Sequence, residues 1–331
     1  MKLLILLITF TFLLLSCNQS SDPSPKGIPF EPAKKADKKL NDVSFNPSVD
    51  ILFVIDDSGS MRDFQNKLAQ NAEIFIERFF QVKFIDYHIA VTTSSINSSG
   101  SVAQNGNLHE VDGFKWVKRD TVDGDRILAD MMRVGTRGSA SEKFFPPFVE
   151  ALDSEMIKGA NKGFYRQDAK LALFTLTDAD DQSLYTSADA FDFLLKLKKG
   201  QKRQLHYIGT VIEQAKAGCS KSGEPRPTKI KELIDLHKDR GFQFDLCESD
   251  YGSDLARVAA ELVRAVSTVY LDQLPDVRTI KVTYGKHIIP NDLEKGWTYD
   301  PDTNSIFLSP NIDIREEEPQ DLKVTFEAIY K

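Results

Sequence analysis

Four short runs in which almost every residue is apolar recur along the chain: ILFVI (51–55), HIAVTT (88–93), LALFTLT (171–177) and LHYIGTV (205–211). A strand without a polar face must be covered on both sides, which places such runs inside a parallel sheet flanked by helices. Amphipathic stretches supply the cover. Phe64, Leu68, Ala72, Phe75, Ile76 and Phe79 fall at helical spacing with Arg62, Asp63, Lys67, Glu73 and Glu77 between them, and further helical patterns run over 141–158, 187–199, 228–240 and 252–272. Strand and helix in alternation predict an α/β fold, a doubly wound, mainly parallel sheet of Rossmann-like type, with ligands beyond the carboxyl ends of its strands.

The remaining sequence is organised around that domain, expected over 47–273. Met1 and Lys2 followed by an apolar run from Leu3 to Leu15 have signal-peptide length and are too short to span a bilayer comfortably. The run ends in Leu14-Leu15-Ser16-Cys17, which resembles the bacterial lipobox: residues 1–16 would be removed and Cys17 would carry the lipid that anchors the protein to a membrane. By the same resemblance, Asn18 rather than aspartate after the cysteine favours the outer membrane of the cell envelope. Residues 17–46, rich in Pro, Ser, Lys and Asp, read as a flexible linker. A polar insertion at 97–130 is too long for a plain connection and is placed near the carboxyl-end face. Past 273 the pattern changes to short strands, with clean alternation at Leu322, Val324, Phe326 and Ala328, so 274–331 is expected to be a small antiparallel β unit. Asp300, Asp302 and Asn304 resemble the start of a calcium loop but lack its glycine and glutamate, and a hairpin turn is the better reading.

The strongest chemical signal follows the first apolar run: Asp56-Asp57-Ser58-Gly59-Ser60, then a helix. Two later loops offer matching groups, Thr136 within Gly135-Thr136-Arg137-Gly138-Ser139 and Asp178 directly after LALFTLT. Carboxylates, seryl and threonyl hydroxyls and water are what a hard divalent cation takes, and two formal charges from Asp56 and Asp178 neutralise it while leaving room for a further ligand. Over residues 48–272 this order of loops resembles the von Willebrand factor type A family, whose metal ion-dependent adhesion site has the pattern Asp-x-Ser-x-Ser. The resemblance implies that Asp56, Ser58, Ser60, Thr136 and Asp178 hold Mg2+, with Mn2+ or Ca2+ as substitutes, and that an Asp or Glu of a protein partner completes the coordination. Ser139 and Ser141 lie close enough to leave the third hydroxyl less sharply assigned. The family often has glycine after the last aspartate, where Ala179-Asp180-Asp181 stands here. Asp180 and Asp181 are auxiliary metal ligands or helix caps on this reading.

With Cys17 assigned to lipid, Cys219 and Cys247 in an exported domain are expected to form a disulfide. No GxSxG, Walker A or HExxH pattern occurs, and His88, His109, His206, His237 and His287 are scattered, so the expectation is a binding protein and not an enzyme. A metal-dependent hydrolase and an envelope scaffold with a degenerate site are the competing readings. Forty-two basic against 49 acidic residues, a net charge of −7 with no basic run, argue against nucleic acid as a partner.

Overall fold

The computed structural model describes residues 40–96, 105–212, 219, 226–248, 251–314 and 322–329. The proposed signal peptide, Cys17, most of the linker and residues 97–104 of the insertion lie outside the described residues. Strand β1 (Leu40–Phe45) leads into β2 (Ser48–Ile55), then α1 (Arg62–Gln70), α2 (Ala72–Phe80) and β3 (Asp86–Thr93). Helices α3 (Gly124–Met132), α4 (Phe145–Ala151) and α5 (Ser154–Lys158) precede β4 (Lys170–Leu176), α6 (Ser187–Leu197), β5 (Leu205–Val211), α7 (Thr228–His237), β6 (Gly241–Asp245) and α8 (Tyr251–Val266). The chain closes with β7 (Thr268–Tyr270), β8 (Lys281–Tyr284), β9 (His287–Ile289), β10 (Trp297–Asp300), β11 (Ser305–Leu308) and β12 (Leu322–Glu327).

Five of these strands form one parallel sheet in the order β3-β2-β4-β5-β6. The apolar runs form its three inner strands, β2, β4 and β5, and one edge strand, β3. In β2 the alternation is explicit: Val49, Ile51, Phe53 and Ile55 face a core shared with α1, α2, α3 and α8, while Leu52 and Val54 face a second core under α4, α6 and α7. Phe53 stacks on Phe174 with ring centroids 4.4 Å apart, and Phe75 meets both edge-on. The fold is therefore α/β and doubly wound, as the patterns predict. Strand β6, Gly241–Asp245, went unread because GFQFD has no apolar run; as an edge strand it pairs with β5 alone and stays largely half-buried.

Several boundaries differ from the sequence reading. The helix expected across residues 64–79 is two helices, broken at Asn71, whose side chain donates to the Lys67 carbonyl and ends the first. Residues 40–45, assigned to the linker 17–46, instead form β1 and pair antiparallel with β12, in register from Leu40 opposite Glu327 to Phe45 opposite Leu322. The pattern expected to be helical through 272 stops at Val266, and β7 turns into a separate sheet, β10-β11-β7. The C-terminal part is thus two antiparallel sheets, the other being β1-β12-β8-β9, and both lie on the first core through Ile280, Val282, Trp297, Ile306 and Phe326. Its start at 274 moves back to 268 and it draws a strand from residues 40–45. The 97–130 segment, where described, is folded against the sheet: Val117 is buried and bridges Ile89 of β3 with hydrogen bonds in both directions, 2.9 and 2.8 Å. Asp300 accepts from the Asp302 N–H and the Thr303 hydroxyl in the β10-β11 hairpin, the turn expected there.

Candidate metal centre

Strands β2 and β4 are neighbours whose following helices depart to opposite faces of the sheet, which opens a crevice at their carboxyl ends. Asp56 and Asp178 stand there, one residue past β2 and two past β4. Asp56 is fully buried. Its backbone N–H donates to the Leu176 carbonyl at 3.0 Å, its Oδ1 accepts from the Ser58 N–H at 2.8 Å, and its Oδ2 accepts from the Thr177 hydroxyl at 2.8 Å. The Ser58 and Ser60 hydroxyls meet each other at 3.2 Å. Neither Asp178 nor Thr136 spends its side chain on a hydrogen bond among the described residues.

Thr136 sits on a loop that three contacts tie to the Asp56 loop. Gln65 of α1 donates its amide to the carbonyls of Asp56 and Gly135, each at 2.8 Å, and accepts from the Gly135 N–H at 3.1 Å. The Gly138 N–H donates to the Asp57 carbonyl at 2.8 Å. Asp57 Oδ1 accepts from the hydroxyls of Ser94 and Ser95 at the end of β3, and Ser95 Oγ accepts in turn from the Ser139 N–H. Gly138 is required here, since a Cβ would lie 2.2 Å from the Asp57 carboxyl. Gly135 holds φ at +87°, a left-handed conformation that turns the loop toward Asp56. These positioning residues, Asp57, Gln65, Ser94, Ser95, Gly138 and Thr177, were not found from sequence. A buried glutamine in α1 and a serine pair closing β3 were the only signals of them.

Electrostatics single out Asp56. Burial pushes its carboxyl up to about 7, against the hydrogen bonds from Ser58 and Thr177 that lower it, and the charge of Asp178 adds to the rise. The lysine that reaches this loop, Lys229, pairs with Asp181 at 3.2 Å instead. Glu142 lies near as well, half-buried, its carboxyl raised by burial and by the Asp178 charge. A cluster of oxygens around a buried carboxylate that has no basic partner among the described residues suits a hard cation in its donor chemistry. Asp180 and Asp181 serve another end. Asp180 accepts from the N–H groups of Lys229 and Ile230 at the start of α7, and Asp181 accepts from the N–H groups of Phe144 and Phe145 and from Ser183. Of the two readings, helix capping describes what both carboxylates do here, and their place as auxiliary ligands is not supported by these contacts.

Cys219 and Cys247 are joined in a disulfide, as expected. His88 and His206 lie within β3 and β5, and His88 Nδ1 is 2.8 Å from the Phe164 carbonyl.

No protein-family model matches the sequence, and no curated protein matches it either. Solved structures with a similar arrangement include the pilus adhesin SpaC from Lactobacillus rhamnosus GG, at 12% identity and a TM-score of 0.43 over 87% of this chain and 40% of that one. A von Willebrand factor type A protein from Catenulispora acidiphila is similar at 11% identity and a TM-score of 0.38, over 88% and 65%. Proximal thread matrix protein 1 from the mussel byssus is similar at 8% identity and a TM-score of 0.37, over 70% and 51%. These similarities are distant, and the chain spans about two fifths of the adhesin's length.

Proposed function

We propose that the carboxyl-end crevice binds a divalent cation, Mg2+ with Mn2+ or Ca2+ as substitutes, and that a protein partner's Asp or Glu carboxylate completes the coordination. Asp56, Ser58, Ser60, Thr136 and Asp178 would hold the ion. One observation carries the reading: Asp56 is a fully buried carboxylate without a basic partner among the described residues, surrounded by the neutral hydroxyls of Ser58, Ser60 and Thr177. Leaving such a charge uncompensated is costly, and a cation compensates it. The ion would supply a fixed positive charge on which the partner carboxylate docks. The role we infer is binding: the ion would hold the partner and not activate a water. Tethering by lipid at Cys17, with the outer membrane favoured, would present the site at the cell envelope.

Calorimetric titration of a soluble form beginning at Asn18 with Mg2+ and Mn2+, beside an Asp56→Ala variant, tests this. The start matters, because beginning at residue 45 would remove β1. Saturable binding in the parent that vanishes in the variant is expected. Absence of binding in both, with and without an acidic peptide ligand, would leave a scaffold with a degenerate site as the reading.

A further inference from the structure

At the opposite, amino-terminal end of the parallel sheet, a cavity of about 190 Å³ lies where three strands begin. Lys170 opens β4, Arg203 and His206 stand either side of the start of β5, and Arg240 precedes β6. Arg264, from the last turn of α8, closes the ring against Tyr270 of β7. Four cations thus converge, with only Asp239 and Glu261 as carboxylates along the lining, and Asp239 is already paired with Arg240 at 2.8 Å.

Two polar atoms in this lining are buried without a hydrogen-bond partner among the described residues: Nδ1 of His206, a residue 4% exposed, and Nε of Arg240. Buried polar groups are nearly always satisfied, so each calls for a partner that the described residues do not supply. Lys170 makes no ion pair among the described residues either. Burial, reinforced by the charges of Arg240 and Arg203, lowers its ammonium to about 8, the signature of a cation held beside other cations. Arg203 is held in place by stacking over the Tyr270 ring, 4.2 Å from its centroid.

We propose that this notch binds the phosphate group of a phosphorylated small molecule. Donors arriving from three strand starts and a helix surround a tetrahedral oxyanion from several directions, whereas a flat carboxylate would occupy a single arginine fork. Room for the organic part exists on either side. A cavity of about 600 Å³ shares Lys170, Arg203 and Tyr270 with the notch, and one of about 640 Å³ shares Arg264 and Tyr270. The site lies at the other end of the sheet from Asp56 and is independent of the metal reading.

The test is titration of the full chain at constant ionic strength with inorganic phosphate, glycerol 3-phosphate and phenyl phosphate, with acetate and citrate as carboxylate controls. Saturable phosphate binding is expected, weakened about tenfold, the worth of one charge-assisted hydrogen bond, in Lys170→Met and in the exposed Arg203→Gln, and unchanged in Asp56→Asn. Circular dichroism and thermal melting of each variant separate lost binding from lost folding, and Arg203→Gln keeps the test open if Lys170→Met does not fold. Phosphomonoesters binding more tightly than phosphate would identify the larger ligand, while equal affinity would identify free phosphate as the source. Absence of saturation with any phosphate, tighter binding of citrate, or full affinity in both folded variants would overturn the proposal.

Discussion

Replacing Asp56 by asparagine should remove one pH-dependent weakness of the metal-free protein. The folded-state pKa of Asp56 is raised from 3.8 to about 7 by burial. A carboxyl of this kind favours the folded state fully below 3.8, where it is neutral in both states. Its contribution is lost as pH rises through 7, because the unfolded chain ionises first. At about 1.4 kcal/mol per pKa unit the loss comes to about 4 kcal/mol between pH 4 and 8. Asparagine has the same shape: its carbonyl can keep the Ser58 N–H, and its amide can donate to the Thr177 hydroxyl, which then turns toward the Ala179 carbonyl. Other groups titrate in the same range. Asp50 is raised to about 6 by burial, and the buried His206 and His237 are lowered to about 3 and 4, which costs stability as pH falls below the ordinary histidine value. These are common to both proteins and cancel in the difference. Urea unfolding in chelator at a series of pH values should therefore show Asp56→Asn gaining about 4 kcal/mol on the parent from pH 4 to pH 8. Mg2+ at pH 8 should return stability to the parent alone, by about 2.7 kcal/mol at a hundredfold excess over its dissociation constant. A difference that does not change with pH would refute the burial argument, and one that changes with pH but ignores Mg2+ would refute the metal reading.

Three further outcomes follow from the same geometry. Gly138→Ala places a methyl group 2.2 Å from the Asp57 carboxyl, so the Thr136 loop must shift; a loss of about 1–3 kcal/mol in denaturant unfolding is expected together with weaker Mg2+ binding. Thr136→Ala, by contrast, removes a hydroxyl with no hydrogen-bond partner among the described residues, so metal binding should fall in calorimetry while the melting temperature of the metal-free protein stays within experimental error. Replacing Cys219 and Cys247 by serine opens a 28-residue closure, for which the chain-entropy relation gives about 3.6 kcal/mol, measurable as a lower urea midpoint with metal binding retained.

How much of this was legible beforehand depended on the range of the interaction involved. The parallel sheet was readable because the hydrophobic requirement of β2, β3, β4 and β5 is written into each run alone: no polar face, hence cover on both sides. Strand β6, half-exposed at the edge, carries no such demand and left no trace. Strand β1 was hidden for a related reason. LNDVSF alternates weakly and sits in polar sequence, and only pairing with β12, some 280 residues later, makes it a strand. The Thr268–Tyr270 strand continued a helical pattern by chance, and only its ladder with β11 ended the helix.

The candidate site divides in the same way. The chemistry of Asp56, Ser58 and Ser60 follows from their spacing after a strand, which the chain dictates locally, and Asp178 follows from its place after another. The sequence by itself therefore determined which oxygen-bearing side chains these loops carry and the class of fold that gathers them. What only the tertiary structure decided is how the loops are held. Gln65 clamps Gly135 to Asp56, Asp57 gathers Ser94, Ser95 and Gly138, and Asp180 and Asp181 turn away to cap helices. Each of these joins residues tens of positions apart, so its energy depends on distances that exist only once the sheet has formed. The raised pKa of Asp56 belongs to the same category, because burial is a property of everything packed around a side chain and not of the side chain itself.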